Sequence, residues 1–249
     1  MGECCDTRVR PFVARKGEIL VQLQEFEKKT QDYILHRCRE HLGQMEALLG
    51  RPLTFDYRYE HTRTAVAIAG QLAEEIKVDP ALARIAAWLH DIAKCWNPDL
   101  DEAANWEREK DHGKIGAQEA VAYLRSLDFP PDLIRQVEQA IDQHVGLVKD
   151  YILEEPLAAL VWDADKLSKV GVAGAIHYLS AQMAMGEDLV DLEKFFGQPE
   201  IELHRRIAAS FNTQWARQRA EAELEAVASW RQHTLVALRG AELGEKTSL

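Results

Sequence analysis

The sequence predicts an all-α protein, a helical bundle with long helices at both ends. Three observations carry this. Apolar residues recur at three- and four-residue spacing through most of the chain. Prolines stand where helices begin. No alternating strand pattern, internal repeat or Gly-rich nucleotide loop interrupts the series.

The elements follow in order. Residues 17–49 carry Ile19, Leu20, Leu23, Phe26, Tyr33, Ile34 and Leu35 at helical spacing and end near Gly50-Arg51-Pro52. A second helix runs from about His61 to Lys77, with Val66, Ala69, Leu72, Ala73 and Ile76 on one face. Asp79-Pro80 starts a third, which runs through "ARIAAWLHDIAKCW" and stops before Asn97-Pro98. The segment 98–111, "PDLDEAANWEREKD", is charged and weakly periodic, and is expected to be a loop or a frayed helix. Helices follow at roughly 112–127, 131–145, 154–170 and 172–185, with Pro130-Pro131 and Pro156 marking starts. One last helix is expected over about 199–234, burying Ile201, Ile207, Phe211, Trp215, Leu224, Val227 and Trp230. The tail "RGAELGEKTSL" is expected to be disordered.

Composition narrows the function. The chain has 249 residues, 47% of them hydrophobic, which is ample for a core. Its formal net charge of −11 opposes tight binding of duplex DNA or RNA, because that energy comes from neutralising phosphates with Lys and Arg. A small phosphorylated substrate stays open, since a local cluster of cations or a bound metal overrides the global sign. No apolar span of about 20 residues exists to cross a bilayer. The N-terminus, "MGECCDTRVRPF", lacks a signal-type apolar stretch, so a cytoplasmic location is expected. Gly2 with Cys4 and Cys5 suggests lipidation only until Asp6, which stands where myristoylation needs Ser or Thr. Cys4, Cys5, Cys38 and Cys95 show no paired spacing and read as reduced thiols.

The chemistry lies in the histidines and their acidic neighbours. His61 opens a helix at "EHTRTAVAIA"; His90-Asp91 stands in "LHDIAK"; His112 opens a helix at "DHGKIGA"; His144 ends one at "IDQHVG"; Asp163 and Asp165 sit in "VWDADKL". Five successive helices each bring a candidate, which is how a bundle builds an internal metal site. A lone helical histidine is more often an ordinary core or surface residue, and His41, His177, His204 and His233 stay in that class. Asp91 and Asp165 differ. Each sits in an apolar run, where a carboxylate costs several kcal/mol unless it is paired or coordinated. Adjacent His and Asp on a helix point about 100 degrees apart, so both reach one ion only if it lies against the helix flank.

His61, then "HD" at 90–91, then Asp165 in "DADKL" resembles the H…HD…D signature of the HD-domain metal-dependent phosphohydrolases, over about residues 55–185. "VWDADKLSKVGVAGA" and "FNTQWARQRAEAELEAV" further resemble a branch of small bacterial HD hydrolases that includes nucleoside triphosphate pyrophosphohydrolases. The resemblance implies an HD-type helical bundle whose metal ligands are His61, His90, Asp91 and Asp165. The cofactor it implies is a divalent cation: Mn²⁺, Fe²⁺, Mg²⁺ or Co²⁺. His112 and His144 resemble the extra histidines of dinuclear HD proteins such as the diadenosine-tetraphosphate hydrolases, whereas the pyrophosphohydrolase branch does not need His144, so one ion or two both stay open.

The implied reaction is hydrolysis of a phosphoester or phosphoanhydride, most typically in a nucleotide, by metal-activated water. Asp91, Lys94 and His112 are the catalytic candidates; "HDIAK" resembles the family's HDxxK, which makes Lys94 the leading phosphate contact, and His112 is a general acid if it does not bind metal. Arg63, Lys114 and Lys166 are the other substrate-binding candidates. Residues 17–238 are expected to form one HD-type domain, with a metal-site core at 55–185 and a helical extension at 186–238. Residues 1–16 and 239–249 are expected to be flexible, and the long terminal helices offer surface for a homodimer. Two other readings stand beside hydrolysis: an HD-type di-iron oxygenase using the six ligands, and a nucleotide-binding sensor without turnover.

Overall fold

The computed structural model describes residues 16–186 and 198–245. Its elements are α1 (Lys16–Leu49), α2 (Tyr57–Ile76), α3 (Pro80–Leu89), a 3₁₀ turn (Ile92–Lys94), α4 (Glu102–Lys110), α5 (His112–Ser126), α6 (Pro131–Gln143), α7 (Pro156–Val170), α8 (Val172–Met185), α9 (Gln198–Ala209) and α10 (Gln214–Glu245). No strand occurs among the described residues, and no helix there is long and apolar enough to cross a membrane. Residues 1–15, nearly all of the first segment expected to be flexible, residues 246–249 at the end of the second, and residues 187–197 of the expected extension lie outside the described residues; so do the side chains of Ile19, Leu20 and Ile201.

Local chemistry sets the boundaries. Asp56 caps α2 by accepting from the Tyr59 amide, and Lys77 ends it in the left-handed conformation, φ 60°. Asp79 caps α3 through the amides of Ala81 and Leu82, with Pro80 in the first turn.

Four boundaries differ from the sequence reading, each for a visible reason. The third helix stops at Leu89, and Asp91 leaves helical geometry at φ −106°, ψ 20° before the 3₁₀ turn. Residues 98–111, expected to be a loop or a frayed helix, contain the capped helix α4. Asp101 caps it through the Ala104 amide, Asn105 holds the carbonyls of Asn97, Leu100 and Asp101, and the buried Arg108 pairs with Glu119. The single helix expected at 199–234 is broken at residues 210–213, where the chain turns to bring Asn212 and Thr213 onto α7. The expected disordered tail is helical as far as Glu245.

The main core joins α1, α2, α3, α5, α6 and α7 and includes Phe26, Leu72, Ile85, Leu89, Leu124, Ile141, Leu160 and Trp162. A smaller core under α9 and α10 gathers Leu167, Val170, Ile207, Phe211, Ala216 and Ala220. Helix α7 belongs to both, buried on nearly every face. Cys38 and Cys95 meet inside the main core as free thiols, Sγ to Sγ 3.9 Å.

Candidate metal centre

Five segments converge at the centre of the bundle. α2 brings His61, the end of α3 brings His90 and Asp91, the start of α5 brings His112, the end of α6 brings His144, and α7 brings Asp165. All but the half-buried His112 are buried. The α5–α6 approach depends on Gly113. A Cβ there would lie 2.3 Å from Val145 Cγ2 and 3.1 Å from the Asp142 carbonyl, so only glycine lets His112 and His144 come together.

The distances are short. His61 Nε2 lies 3.1 Å from Asp165 Oδ1 and 3.6 Å from Asp91 Oδ2. His90 Nε2 lies 3.3 Å from His61 Nε2, 3.5 Å from Asp91 Oδ2 and 3.6 Å from Asp165 Oδ1. His144 Nε2 lies 3.3 Å from Asp91 Oδ1, and His112 Nε2 stands 4.0 Å from the same oxygen. The end of α3 is what lets adjacent His90 and Asp91 share a target. Asp91 has left the helix, so the angular spread of a regular helix no longer separates them. Two triads have mutual atom separations suited to one ion: His61-His90-Asp165 and His90-Asp91-His144, sharing His90.

The far side of each imidazole reveals the chemistry. His90 Nδ1 lies 2.7 Å from the Ala87 carbonyl, His144 Nδ1 2.5 Å from the Ile141 carbonyl and His112 Nδ1 2.9 Å from the Glu109 carbonyl. His61 Nδ1 meets Ser168 Oγ at 3.1 Å, and that hydroxyl already donates its own proton to the Asp165 carbonyl, 2.6 Å away. So every ring stands between an oxygen acceptor outside and carboxylate oxygens inside. A neutral imidazole has one proton and can satisfy one side. With that proton on Nδ1, facing the oxygen outside, each Nε2 lone pair turns inward, the tautomer that a metal-binding imidazole adopts. Protonating the rings instead is opposed by burial, which pushes His61 and His112 down to about 4 and lowers His144.

Four imidazoles and two carboxylates converge here, with Lys94, Lys166 and Lys169 neutralising the carboxylates from outside the ring of nitrogens. The donor set therefore fits a divalent metal, with imidazole nitrogen and carboxylate oxygen as borderline and hard ligands.

Lysines flank the cluster. Burial raises the Asp91 carboxyl, but Lys94, with Nζ 3.0 Å from its Oδ1, overcomes that and holds it well below the usual range. Burial likewise raises Asp165, and Lys166 and Lys169 outweigh it. Lys166 is buried, bonded to Asp165 and to the His144 carbonyl at 2.8 Å, with its ammonium 4.6 Å over the Trp162 ring; burial brings it down to about 8. Lys169 Nζ meets Asp165 Oδ1 at 2.6 Å. Arg63 and Lys114 do not join the cluster: Arg63 is exposed on α2 and paired to Glu60, and Lys114 is exposed on α5.

Sequence reading missed three contributors. Ser168 and Lys169 lie one turn beyond Asp165 on α7, a spacing that could have signalled them. Tyr57, four residues before His61, lays its ring parallel to the imidazole at 5.8 Å. Asp163 points elsewhere, accepting from the Asn212 and Thr213 amides and from both their side chains.

The sequence pattern of the HD domain matches residues 58–170, the span holding all six candidate ligands. Over that span, a little under half of the chain, the sequence is similar to the HD domain. The fold of the chain is that of solved HD-superfamily proteins. A predicted HD superfamily hydrolase from an uncultured Thermotogales bacterium is 23% identical, with a TM-score of 0.52 over 83% of this chain and 92% of that one. An HD-superfamily hydrolase from Bacillus thuringiensis is 19% identical, with a TM-score of 0.59 over 87% and 98%. Bacillus subtilis YpgQ, solved in complex with ADP, is 18% identical, with a TM-score of 0.50 over 71% and 86%. The matched span ends with α7, and α9 and α10, later in the chain, pack on α7.

Proposed function

We propose that the protein is a metal-dependent phosphohydrolase that cleaves a phosphoester or phosphoanhydride bond in a nucleotide. The observation that carries this is the convergence of His61, His90, His112 and His144 on Asp91 and Asp165, with an oxygen beside each Nδ1 and the Nε2 side facing the carboxylates. His61, His90, Asp91 and Asp165 would hold the ion, with His144 and His112 available for a second. A divalent cation held there supplies Lewis acidity toward a phosphoryl group and lowers the pKa of water.

The chain's own residues do the rest. The carbonyls of Ala87, Ile141 and Glu109 and the Ser168 hydroxyl fix each ring's tautomer before any ion arrives, so little reorganisation accompanies binding. Lys94 and Lys169, both partly open to solvent, would have charge to spare for phosphate oxygens if Asp91 and Asp165 held a cation. His112, held near 4 by burial and by Lys94, is neutral at physiological pH. That suits it to a ligand better than to a general acid, which must carry a proton. Lys166 is committed to Asp165 and the His144 carbonyl, so it orients ligands rather than touching substrate. The ADP complex of YpgQ supports the choice of a nucleotide.

The test is metal analysis of purified protein with a panel of nucleotides assayed in Mn²⁺, Mg²⁺ and Co²⁺. Metal-dependent phosphate or pyrophosphate release, lost together with bound metal in Asp91→Ala, is expected; retained turnover in that variant removes the assignment. Two irons per chain with O₂ consumption and no phosphate release would instead place the same ligands in a di-iron oxygenase.

A further inference from the structure

Beside the metal centre lies a second feature that the ligand set does not use. A cleft of about 260 Å³ opens between the C-terminal half of α1, the segment at 53–58 and the end of α8. Its walls include Leu42, Met45, Phe55, Tyr57 and Met185, with His41 as a polar group. Tyr57 belongs to two environments: it lines this cleft, and its ring stacks on His61 with the planes 5° apart. The cleft and the metal centre therefore share a wall. His41 Nδ1 is buried there and has no hydrogen-bond partner among the described residues. A buried polar atom left unpaired costs roughly 1–3 kcal/mol, a cost that a turn of the His41 ring toward a ligand in the cleft would recover.

The lining selects the ligand's chemistry. Aromatic rings and thioethers stack on flat π-systems. The volume falls just below the range of about 300–1,000 Å³ for drug-sized ligands, which suits a single heterocycle with its sugar. An anionic head group finds no spare cation in this wall, because Arg58 is taken up by Glu109. His41 is neutral, held near 4 by burial, and so presents one donor and one acceptor to the polar edge of a heterocycle.

We propose that this cleft binds the base of the nucleotide whose phosphates meet the metal centre. The proposal rests on the nucleotide reading above. Its test is made independent of turnover by using nucleosides, which carry no phosphate.

Calorimetric titration of metal-free protein with adenosine, guanosine, cytidine and uridine should show binding of at least one. Met45→Trp, which fills the cleft, should weaken that binding about tenfold or more, as overpacking a fitted site does. His41→Ala, a milder change that guards against misfolding of the first, should weaken it several-fold through loss of the edge contact. In turnover, the ratio of kcat/KM for the nucleotide to that for inorganic tripolyphosphate should fall in both variants. The proposal is overturned if no nucleoside binds the wild-type protein, or if both variants bind it unchanged. Failure of the phosphohydrolase reading shows itself differently, as the absence of phosphate release from every substrate while nucleoside binding persists.

Discussion

Asp163 and Asp165 stand two residues apart on one buried helix and belong to different regions of the molecule. Two helical steps rotate a side chain by about 200 degrees, so they leave α7 on nearly opposite sides. Asp163 faces the break between α9 and α10, where two amides, a carboxamide and a hydroxyl donate to it at 2.8–2.9 Å. Asp165 faces the ligand cluster and meets imidazole lone pairs and lysines. Burial raises the first carboxyl despite its donors, whereas lysine charges hold the second well below the usual range. The lesson concerns what each environment leaves unfinished. Around Asp163 every donor has its acceptor, so the region is complete as protein. Around Asp165 two lysines neutralise the carboxylate while imidazole nitrogens converge on it, a donor set that could also hold a metal ion.

That contrast can be broken by exchanging the fates of the two residues. Asp165→Ala should lose bound divalent metal and reduce turnover by more than about 100-fold, beyond the 10–100-fold typical of orienting partners. Asp163→Ala should keep its metal but strand buried donors, costing about 3 kcal/mol and lowering Tm by roughly 6–12 °C. Metal stoichiometry and melting curves of the two proteins decide the matter; metal loss in Asp163→Ala with an unchanged Tm would reverse the assignment.

A sharper probe is Ser168→Ala. It removes the hydroxyl beside His61 Nδ1 together with that hydroxyl's own bond to the Asp165 carbonyl, and leaves every candidate ligand in place. Metal affinity should fall about 10–100-fold in competition with a chromophoric chelator, while Tm moves little.

Acidity probes the same cluster without mutation. In chelated protein His61 and His112 bind protons only near pH 4, whereas in the unfolded chain they do so near the ordinary value of about 6.5. Between those values the unfolded state holds more protons, so stability is present above pH 6.5 and is lost as pH falls toward 4. Each ring contributes a slope of up to about 1.4 kcal/mol per pH unit. Denaturant midpoints should fall across that window with EDTA present, and divalent metal should flatten the decline.

The smallest effects belong to the surface. Arg63→Ala and Lys114→Ala should change kcat/KM by less than about twofold, since neither side chain reaches the cluster. Lys94→Ala, by contrast, should raise KM about tenfold, as loss of one charged hydrogen bond does. A large effect at Arg63 would mean that the substrate extends over the exposed face of α2.

Much of this was legible in advance. Helical spacing located the helices of the bundle because burying one face repeats every three to four residues whatever the partner. The order His61, His90-Asp91, Asp165 was legible because chemistry demands those side-chain types. Helix α4 was not, because its order comes from Asn105 and Arg108 reaching distant carbonyls and Glu119 rather than from an apolar stripe. The break at 210–213 was hidden for a related reason: the periodicity of α9 runs straight into that of α10, and only Asp163, some fifty residues away, makes the turn favourable.

The sequence by itself determined that the chain is helical, that it holds several imidazoles and two costly carboxylates, and that its net charge is −11. Tertiary structure alone decided which of those groups face one another. It separated Asp163 from Asp165, brought His112 and His144 to the rim and wall of one cluster, left Arg63 outside, and recruited Ser168, Lys169 and Tyr57. The physical reason is that side-chain identity is written locally, whereas the direction of a lone pair depends on where another segment places its carbonyl.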